Sequence, residues 1–182
     1  MAASYKHLTI TVDWFGPYTS VEEAADAAKE DFEDGLYLVA GKRKSQHGRP
    51  CLQYVGIAKR LANRLFTSEG VKSVTRDRKI WLGEISSSAP PGKKTKATKP
   101  TIDLAEWAHA YFLDLPCNTK KRVNPPPRPV TVLNRWWKKD YETPARQRPH
   151  RDWPDVIDYL GNGYGGRAAW FGQARYERFT CD

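Results

Sequence analysis

The apolar residues of this chain change their spacing along the sequence, and no other feature restricts the fold as strongly. Alternating apolar and polar residues are typical of a strand, whereas apolar residues three or four positions apart indicate a helix. Alternation or a short apolar run predicts strands at residues 8–12, 36–40, 52–55 and 80–85. Helical spacing predicts helices at residues 21–32, 58–66 and 103–113. This interleaved order predicts an α/β (α+β) fold with a small central sheet, mixed or antiparallel, flanked by helices.

Capping and turn residues support several of these boundaries. Ser20-x-x-Glu23 is a capping box ahead of the first helix, and Gly16-Pro17 predicts a turn that ends the first strand. Pro116 lies just beyond the last of the three helices. The polar residues 41–50 predict the long basic loop of a hairpin between the second and third strands.

The remaining segments have weaker patterns. Residues 89–100 carry four lysines and no large apolar side chain, so we expect a mobile loop there. Residues 130–137 fit either a strand or a short helix. Residues 155–160 predict a short helix.

The charge of the chain is large and unevenly distributed. Lys and Arg total 30 against 21 Asp and Glu, which gives a formal net charge of +9. Residues 1–34 carry a net charge of −6, and the rest of the chain carries +15. A basic body favours a polyanionic partner, because neutralised phosphates release counterions. The alternative is a surface that only keeps the protein in solution.

The sequence also restricts the cellular compartment in which we expect the protein. No apolar run reaches the roughly 18 residues that a membrane helix needs, and the N-terminus lacks a secretory signal pattern. Cys51, Cys117 and Cys181 are odd in number and form no CxxC pair. Neither a disulfide framework nor a cysteine-based zinc site is therefore expected. We expect a cytoplasmic protein without a membrane partner.

Two short tyrosine motifs occur on neighbouring predicted strands. Gly35-Leu36-Tyr37 opens one strand, and Tyr54-Val55-Gly56 ends the next. Arg64 follows on a helix, ten residues after Tyr54. Glu106 lies on a later helix, and Asn118 stands twelve residues after it.

The order of these residues resembles the GIY-YIG nuclease family over residues 35–118. The resemblance implies a GIY-YIG-like fold and an endonuclease or nickase that depends on Mg²⁺ (or Mn²⁺). The substrate it implies is DNA, with RNA as the alternative. It also implies a set of catalytic residues: Tyr37, Tyr54, Arg64, Glu106 and Asn118.

The resemblance implies a role for each of these residues, and elementary chemistry explains why each residue type suits it. Hydrolysis of a phosphodiester needs an activated water and relief of the charge that develops on phosphate. Glu106 can hold Mg²⁺ as the metal ligand, because this cation keeps several waters and needs few protein ligands. Arg64 offers phosphate a charged guanidinium that donates two hydrogen bonds. Tyr54, assisted by Tyr37, would orient or deprotonate the water. Asn118 would tether the helix end or a water by hydrogen bonds.

One departure from the family keeps other functions open. Ser68, one helical turn after Arg64, stands where many members have histidine or tyrosine. A nucleic-acid-binding module with little or no catalysis is therefore the first alternative. A protein-interaction subunit that uses the acidic N-terminal segment is the second. Glu84 is a rival carboxylate that lacks an asparagine twelve residues on. We interpret His109 as a packed or capped residue rather than a metal ligand.

Basic residues outside the catalytic set are expected to bind the nucleic acid: Lys42, Arg43, Lys44, Lys59, Arg60, Arg135 and Lys138. The resemblance divides the chain into an acidic lead-in at 1–34, a nuclease-like core at 35–118 and a basic, aromatic extension at 119–182. We expect the extension to pack on the core. Its tryptophans either cover the core or stack on bases. The sequence leaves the oligomeric state open.

Overall fold

A β-sheet with helices on both faces is the framework of the protein. The computed structural model describes residues 7–32, 34–86, 99–161, 164–172 and 175–179. Within these ranges the chain forms eight strands: β1 Leu8–Tyr18, β2 Gly35–Arg43, β3 Cys51–Ala58, β4 Val74–Ser86, β5 Val130–Trp137, β6 Val156–Tyr159, β7 Gly166–Trp170 and β8 Arg175–Phe179. The same ranges contain four helices: α1 Val21–Asp31, α2 Leu61–Thr67, α3 Glu69–Lys72 and α4 Lys99–Phe112.

The strands belong to one mixed sheet. Their order is β3-β2-β4-β1-β5-β6-β7-β8. β1 runs antiparallel to β4 and parallel to β5, whereas the other neighbours are antiparallel. The predicted mixed α/β architecture is confirmed. The prediction of a small sheet is wrong, because the segment after residue 119 extends the sheet by four strands.

Both faces of the sheet are apolar, and each packs against different helices. Val12 and Trp14 of β1 belong to the core on the α4 side, together with Ala108. Phe15, the next residue of β1, belongs to the core that α1 and α2 cover. Successive side chains of a strand alternate between faces, so β1 contributes to both cores. Residues 36–39 of β2 are all fully buried for the same reason, which explains their continuous apolar run.

The first strand is longer than the sequence predicts. Gly16-Pro17 does not end β1; the peptide bond between them is cis, and the strand continues to Tyr18. The register against β4 shifts between Phe15 and Tyr18, so the irregularity is absorbed as a bulge. A Cβ on Gly16 would lie 2.9 Å from the Ile80 carbonyl oxygen, which explains the glycine.

The predicted short helix at residues 155–160 is also wrong. Val156–Tyr159 is strand β6, and residues 130–137 are strand β5. Ile157 and Tyr159 are buried in the core on the α4 side, whereas Asp158 accepts a hydrogen bond from Thr131. This period of two is the strand pattern, but a segment of four residues is too short to reveal it.

Two tryptophans of the extension, Trp153 and Trp170, are buried in the core. Trp153 is fully buried and makes edge-to-face contacts with Trp14 and Trp81. These contacts favour the prediction that the tryptophans cover the core.

The lysine-rich segment lies largely outside the described residues. The loop predicted at 89–100 falls there up to residue 98, whereas Lys99 and Pro100 already belong to α4. Among the residues that the structure describes, no helix is long and apolar enough to cross a membrane.

Candidate active site

A cleft opens at the β3 edge of the sheet. β3 is the terminal strand, with α2 and α3 on one face and α4 on the other. The cleft has a volume of about 410 Å³. Its walls come from β3, the three helices and the segment after α4: Tyr54, Arg64, Thr67, Ser68, Glu69, Gly70, Glu106 and residues 117–121. Four of the five predicted catalytic residues, Tyr54, Arg64, Glu106 and Asn118, therefore line one cleft.

Tyr37, the fifth, lies beneath this cleft. Its side chain is fully buried, and its ring centroid is 5.8 Å from that of Tyr54. Its hydroxyl donates a hydrogen bond of 3.2 Å to Ser68 Oγ. Burial raises the pKa of Tyr37, so its phenol remains protonated. A buried, protonated Tyr37 positions its neighbours, and Ser68 serves as its acceptor.

Two glycines make room for the tyrosine rings. A Cβ on Gly56 would lie 2.5 Å from the Tyr37 hydroxyl oxygen. A Cβ on Gly70 would lie 2.4 Å from the Tyr54 ring. Both distances are far below van der Waals contact, so neither position accepts a side chain without moving a tyrosine. The glycine that ends Tyr54-Val55-Gly56 is thus explained by the ring that crosses it.

Arg64 brings a permanent positive charge to the cleft. It lies on α2 with an exposed side chain. Electrostatic interaction with the Tyr37 hydroxyl raises the pKa of Arg64, and Tyr54 adds to this effect while partial burial opposes it. The guanidinium therefore faces the cleft as a cation beside both tyrosine hydroxyls.

Glu106 is a largely buried carboxylate on the opposite wall. Only 12 % of its side chain is exposed. Burial raises the pKa of Glu106, while the ammonium of Lys121 and the more distant Arg64 lower it. Lys121 Nζ donates to Glu106 Oε2 and also to Asp103 Oδ1, at 2.6 Å. The carboxylate thus has a cation of the chain itself as its partner.

Asn118 fixes the edge of β3. Its Nδ2 donates to the Val55 carbonyl oxygen at 2.8 Å, and its Oδ1 accepts from the Val55 amide at 3.0 Å. The adjacent Cys117 amide donates to the Gln53 carbonyl oxygen at 2.9 Å. These bonds flank Tyr54 on the strand, so Asn118 acts on the site by positioning that tyrosine.

The donor set of the cleft suits a divalent cation that keeps most of its water. Among the described residues, no three His, Cys, Asp or Glu side chains group closely enough to hold a metal ion. Mg²⁺ accepts one or two carboxylates, with water and phosphate oxygens completing its shell. Glu106 supplies such a carboxylate, and the Lys121 ammonium beside it shows that this point accommodates positive charge. The residues present therefore fit Mg²⁺ held by Glu106.

Three of the predicted nucleic-acid-binding residues lie at the β2–β3 hairpin. Lys42 forms an ion pair with Asp77, with 3.0 Å between Nζ and Oδ2. Arg43 and Lys44 are exposed. The guanidinium of Arg76 donates to the carbonyl oxygens of both, which holds the start of the loop in place.

The other four lie elsewhere. Lys59 and Arg60 are exposed just before α2, at a groove between α1 and α2. Arg135 of β5 is paired with Asp13, with 2.7 Å between Nε and Oδ1, and Lys138 is exposed beyond the same strand. β5 stands four strands from β3, about 19 Å at the usual strand spacing. The structure does not bring Arg135 and Lys138 to the cleft.

Sequence reasoning misses three residues of the site. Lys121 belongs to the basic run 120–122, which begins two residues after Asn118, and this run is the signal that could have identified it. Asp103 lies one helical turn before Glu106. Gly70 has no local signal, because its role depends on a ring from another element.

Comparison with protein family models, with curated proteins and with solved structures finds no match to this chain.

Proposed function

We propose that this protein is a Mg²⁺-dependent phosphodiester hydrolase of GIY-YIG type that cuts or nicks DNA. One observation carries the proposal. Tyr54, Arg64, Glu106 and Asn118 come from separate parts of the chain, yet all line one cleft. Nothing in the stability of the sheet requires an arginine, a carboxylate and a tyrosine to meet at an edge strand.

Arg64 is the phosphate-binding residue in this proposal. A guanidinium donates two parallel hydrogen bonds to non-bridging phosphate oxygens and stays charged at any physiological pH. Its place beside the Tyr54 ring brings the phosphate close to the tyrosine hydroxyl. Charge that develops on phosphate during hydrolysis is stabilised by a fixed donor of this kind.

Tyr54 is the residue that orients the attacking water. Its half-buried side chain lines the cleft, and Asn118 holds the neighbouring residue of β3. A tyrosine hydroxyl both donates and accepts hydrogen bonds, so Tyr54 can hold a water beside the phosphate that Arg64 binds.

Glu106 is the metal ligand. When bound there, Mg²⁺ supplies positive charge to the phosphate and acidifies water. The chain's contribution is a carboxylate with little exposure to solvent, held on α4 across the cleft from Arg64. The basic β2–β3 hairpin would contact the backbone of DNA away from the cut, which is the kind of contact that does not depend on sequence.

The test is cleavage of supercoiled plasmid and of single-stranded DNA with Mg²⁺, with and without EDTA. We expect Glu106→Gln to reduce cleavage at least about a hundredfold, as loss of a catalytic electrostatic group commonly does. The matched control is Glu84→Gln, because Glu84 is an exposed carboxylate on β4, away from the cleft. Its cleavage rate should equal that of the unmodified protein.

Three results would contradict the proposal. Cleavage that survives EDTA excludes a metal-dependent mechanism, and equal loss in both glutamate variants excludes a special role for Glu106. Salt-dependent DNA binding without cleavage would favour the nucleic-acid-binding module instead. The same assay on RNA decides between the two substrates.

A further inference from the structure

The ammonium of Lys121 occupies a cage built by one face of α4. It donates to carboxylate oxygens of Asp103 and Glu106, which are three residues apart on the helix. It also lies 5.7 Å from the ring centroid of Trp107. Two carboxylates and an indole face are ligands for a cation. Lys121 thus neutralises the carboxylate that faces the cleft.

This arrangement creates a competition at one carboxylate. The ammonium contacts Glu106, the residue that the proposed function assigns to the divalent cation. An ammonium and a divalent cation within a few ångströms of each other repel, because water screens their charges only partly in such a cleft. A divalent cation on Glu106 therefore weakens the hold of Glu106 on Lys121.

The Lys121 ammonium has free space within the cleft into which it can move. Lys121 lines the cleft, and it lies in the irregular segment 119–122 rather than on a helix or strand. A lysine side chain carries a point charge on a flexible four-carbon stem. Released from Glu106, the ammonium remains in the cleft that a phosphate enters.

We propose that Lys121 is a second phosphate-binding residue of this site. It stays ion-paired with Glu106 and Asp103 until a divalent cation displaces it. The inference rests on the proposed function, since it takes Glu106 as the metal ligand. It predicts two effects of opposite sign when the ammonium is removed. The affinity for the metal rises, because a competitor is lost, and the cleavage rate falls, because a phosphate contact is lost.

The experiment measures Mn²⁺ binding to the full chain without DNA, by the loss of the free-ion electron paramagnetic resonance signal. We expect Lys121→Met to bind Mn²⁺ about tenfold more tightly than the unmodified protein, the effect of removing one charged hydrogen-bond partner. At saturating Mn²⁺, the same variant should cleave plasmid DNA more slowly. A merely structural role would lower both quantities together.

Two further variants serve as controls. Lys79→Met removes an exposed lysine of β4 that does not line the cleft, so its Mn²⁺ affinity should match that of the unmodified protein. Lys121→Gln keeps a donor for the carboxylates without the charge, so it should fold normally and also bind Mn²⁺ more tightly. Thermal unfolding of each variant verifies the fold.

The outcomes separate the two proposals. If Glu106→Gln loses Mn²⁺ binding but Lys121→Met and Lys121→Gln bind as the unmodified protein does, the role of Lys121 is wrong and the proposed function stands. The role of Lys121 is equally wrong if metal affinity and cleavage fall together in its variants. If the unmodified protein and Glu106→Gln bind Mn²⁺ equally, the metal assignment fails and the inference falls with it.

Discussion

At the scale of single residues, the site depends on two glycines as much as on its functional side chains. Gly56 and Gly70 leave the space that the rings of Tyr37 and Tyr54 occupy. Tyr37 cannot move aside easily, because its side chain is fully buried. Glycine at these two positions is therefore a packing requirement.

Gly56→Ala should lower the free energy of unfolding by about 1–3 kcal/mol, the usual effect of overpacking a core. The added methyl group would displace the Tyr37 hydroxyl and break its hydrogen bond to Ser68. Urea unfolding measures the change. Gly48→Asn is the matched control, since Gly48 has a positive φ that asparagine tolerates and no neighbour within 4 Å. Equal stability of the two variants would contradict the packing argument.

Some residues of the site can be identified from the sequence, and others cannot. The sequence predicts the hairpin of Tyr37 and Tyr54 and the helix of Arg64, and this local unit brings the three residues together. Their catalytic role is implied only by the family resemblance. The place of Lys121 does not follow from local spacing, because its partners lie on α4 and only the folded chain brings segment 119–122 against that helix.

At the scale of elements, a buried polar network joins α4 to the sheet. His109 of α4 is fully buried, as its interpretation as a packed residue predicts. Its Nε2 lies 2.9 Å from Asn134 Oδ1 on β5, and Trp14 Nε1 of β1 donates to the same oxygen at 2.8 Å. The helix that carries Glu106 is thus anchored to the two central strands by one imidazole.

This network makes stability depend on pH. Burial lowers the pKa of His109 below the ordinary value of 6.5, against the effect of its Ala105 and Asn134 partners. As the pH falls below 6.5, the unfolded chain therefore gains a proton that the folded chain does not. Between pH 7.5 and 5.5 we expect His109 to lower the free energy of unfolding, by at most about 1.4 kcal/mol for each pH unit below 6.5.

Denaturant unfolding at the two pH values measures this loss. His109→Gln keeps a donor for Asn134 but does not titrate, so its stability should change less over the same range. A loss of equal size in both proteins would assign the pH dependence to other groups.

The sequence predicts most elements on this scale but not all of them. The long helices and the β2–β3 hairpin follow from periodicity, because their buried faces repeat over several turns or residues. β6 does not, because four residues cannot distinguish the two periods. Periodicity also fails to predict that β1 continues beyond Gly16, because only pairing with the neighbouring strand β4 explains this continuation.

At the scale of the whole molecule, the N-terminal strand lies in the interior of the sheet. β1 pairs with β4 on one side and with β5 on the other, although β5 follows it by more than a hundred residues. The acidic helix α1 packs its apolar side against the same sheet. Strand order of this kind depends on distant pairings, so the sequence alone does not supply it.

Residues 35–118, the segment of the family resemblance, should not fold when produced alone. Without β1, the core beside α4 loses Ile10, Val12 and Trp14, and β4 becomes an unpaired edge. We expect no cooperative urea transition by circular dichroism, whereas the full chain should show one. A cooperative transition of the segment would identify 35–118 as an independent domain and contradict this expectation.

The hydrogen bonds of Asn118 have a consequence for solubility. β3 ends the sheet, and a terminal strand with free amides and carbonyls is a template on which another chain can add a strand. Asn118 and Cys117 occupy the amide and carbonyl of Val55 and the carbonyl of Gln53, so the middle of this template is already filled. The residue that holds the strand beside Tyr54 therefore also makes part of this edge inaccessible to an added strand.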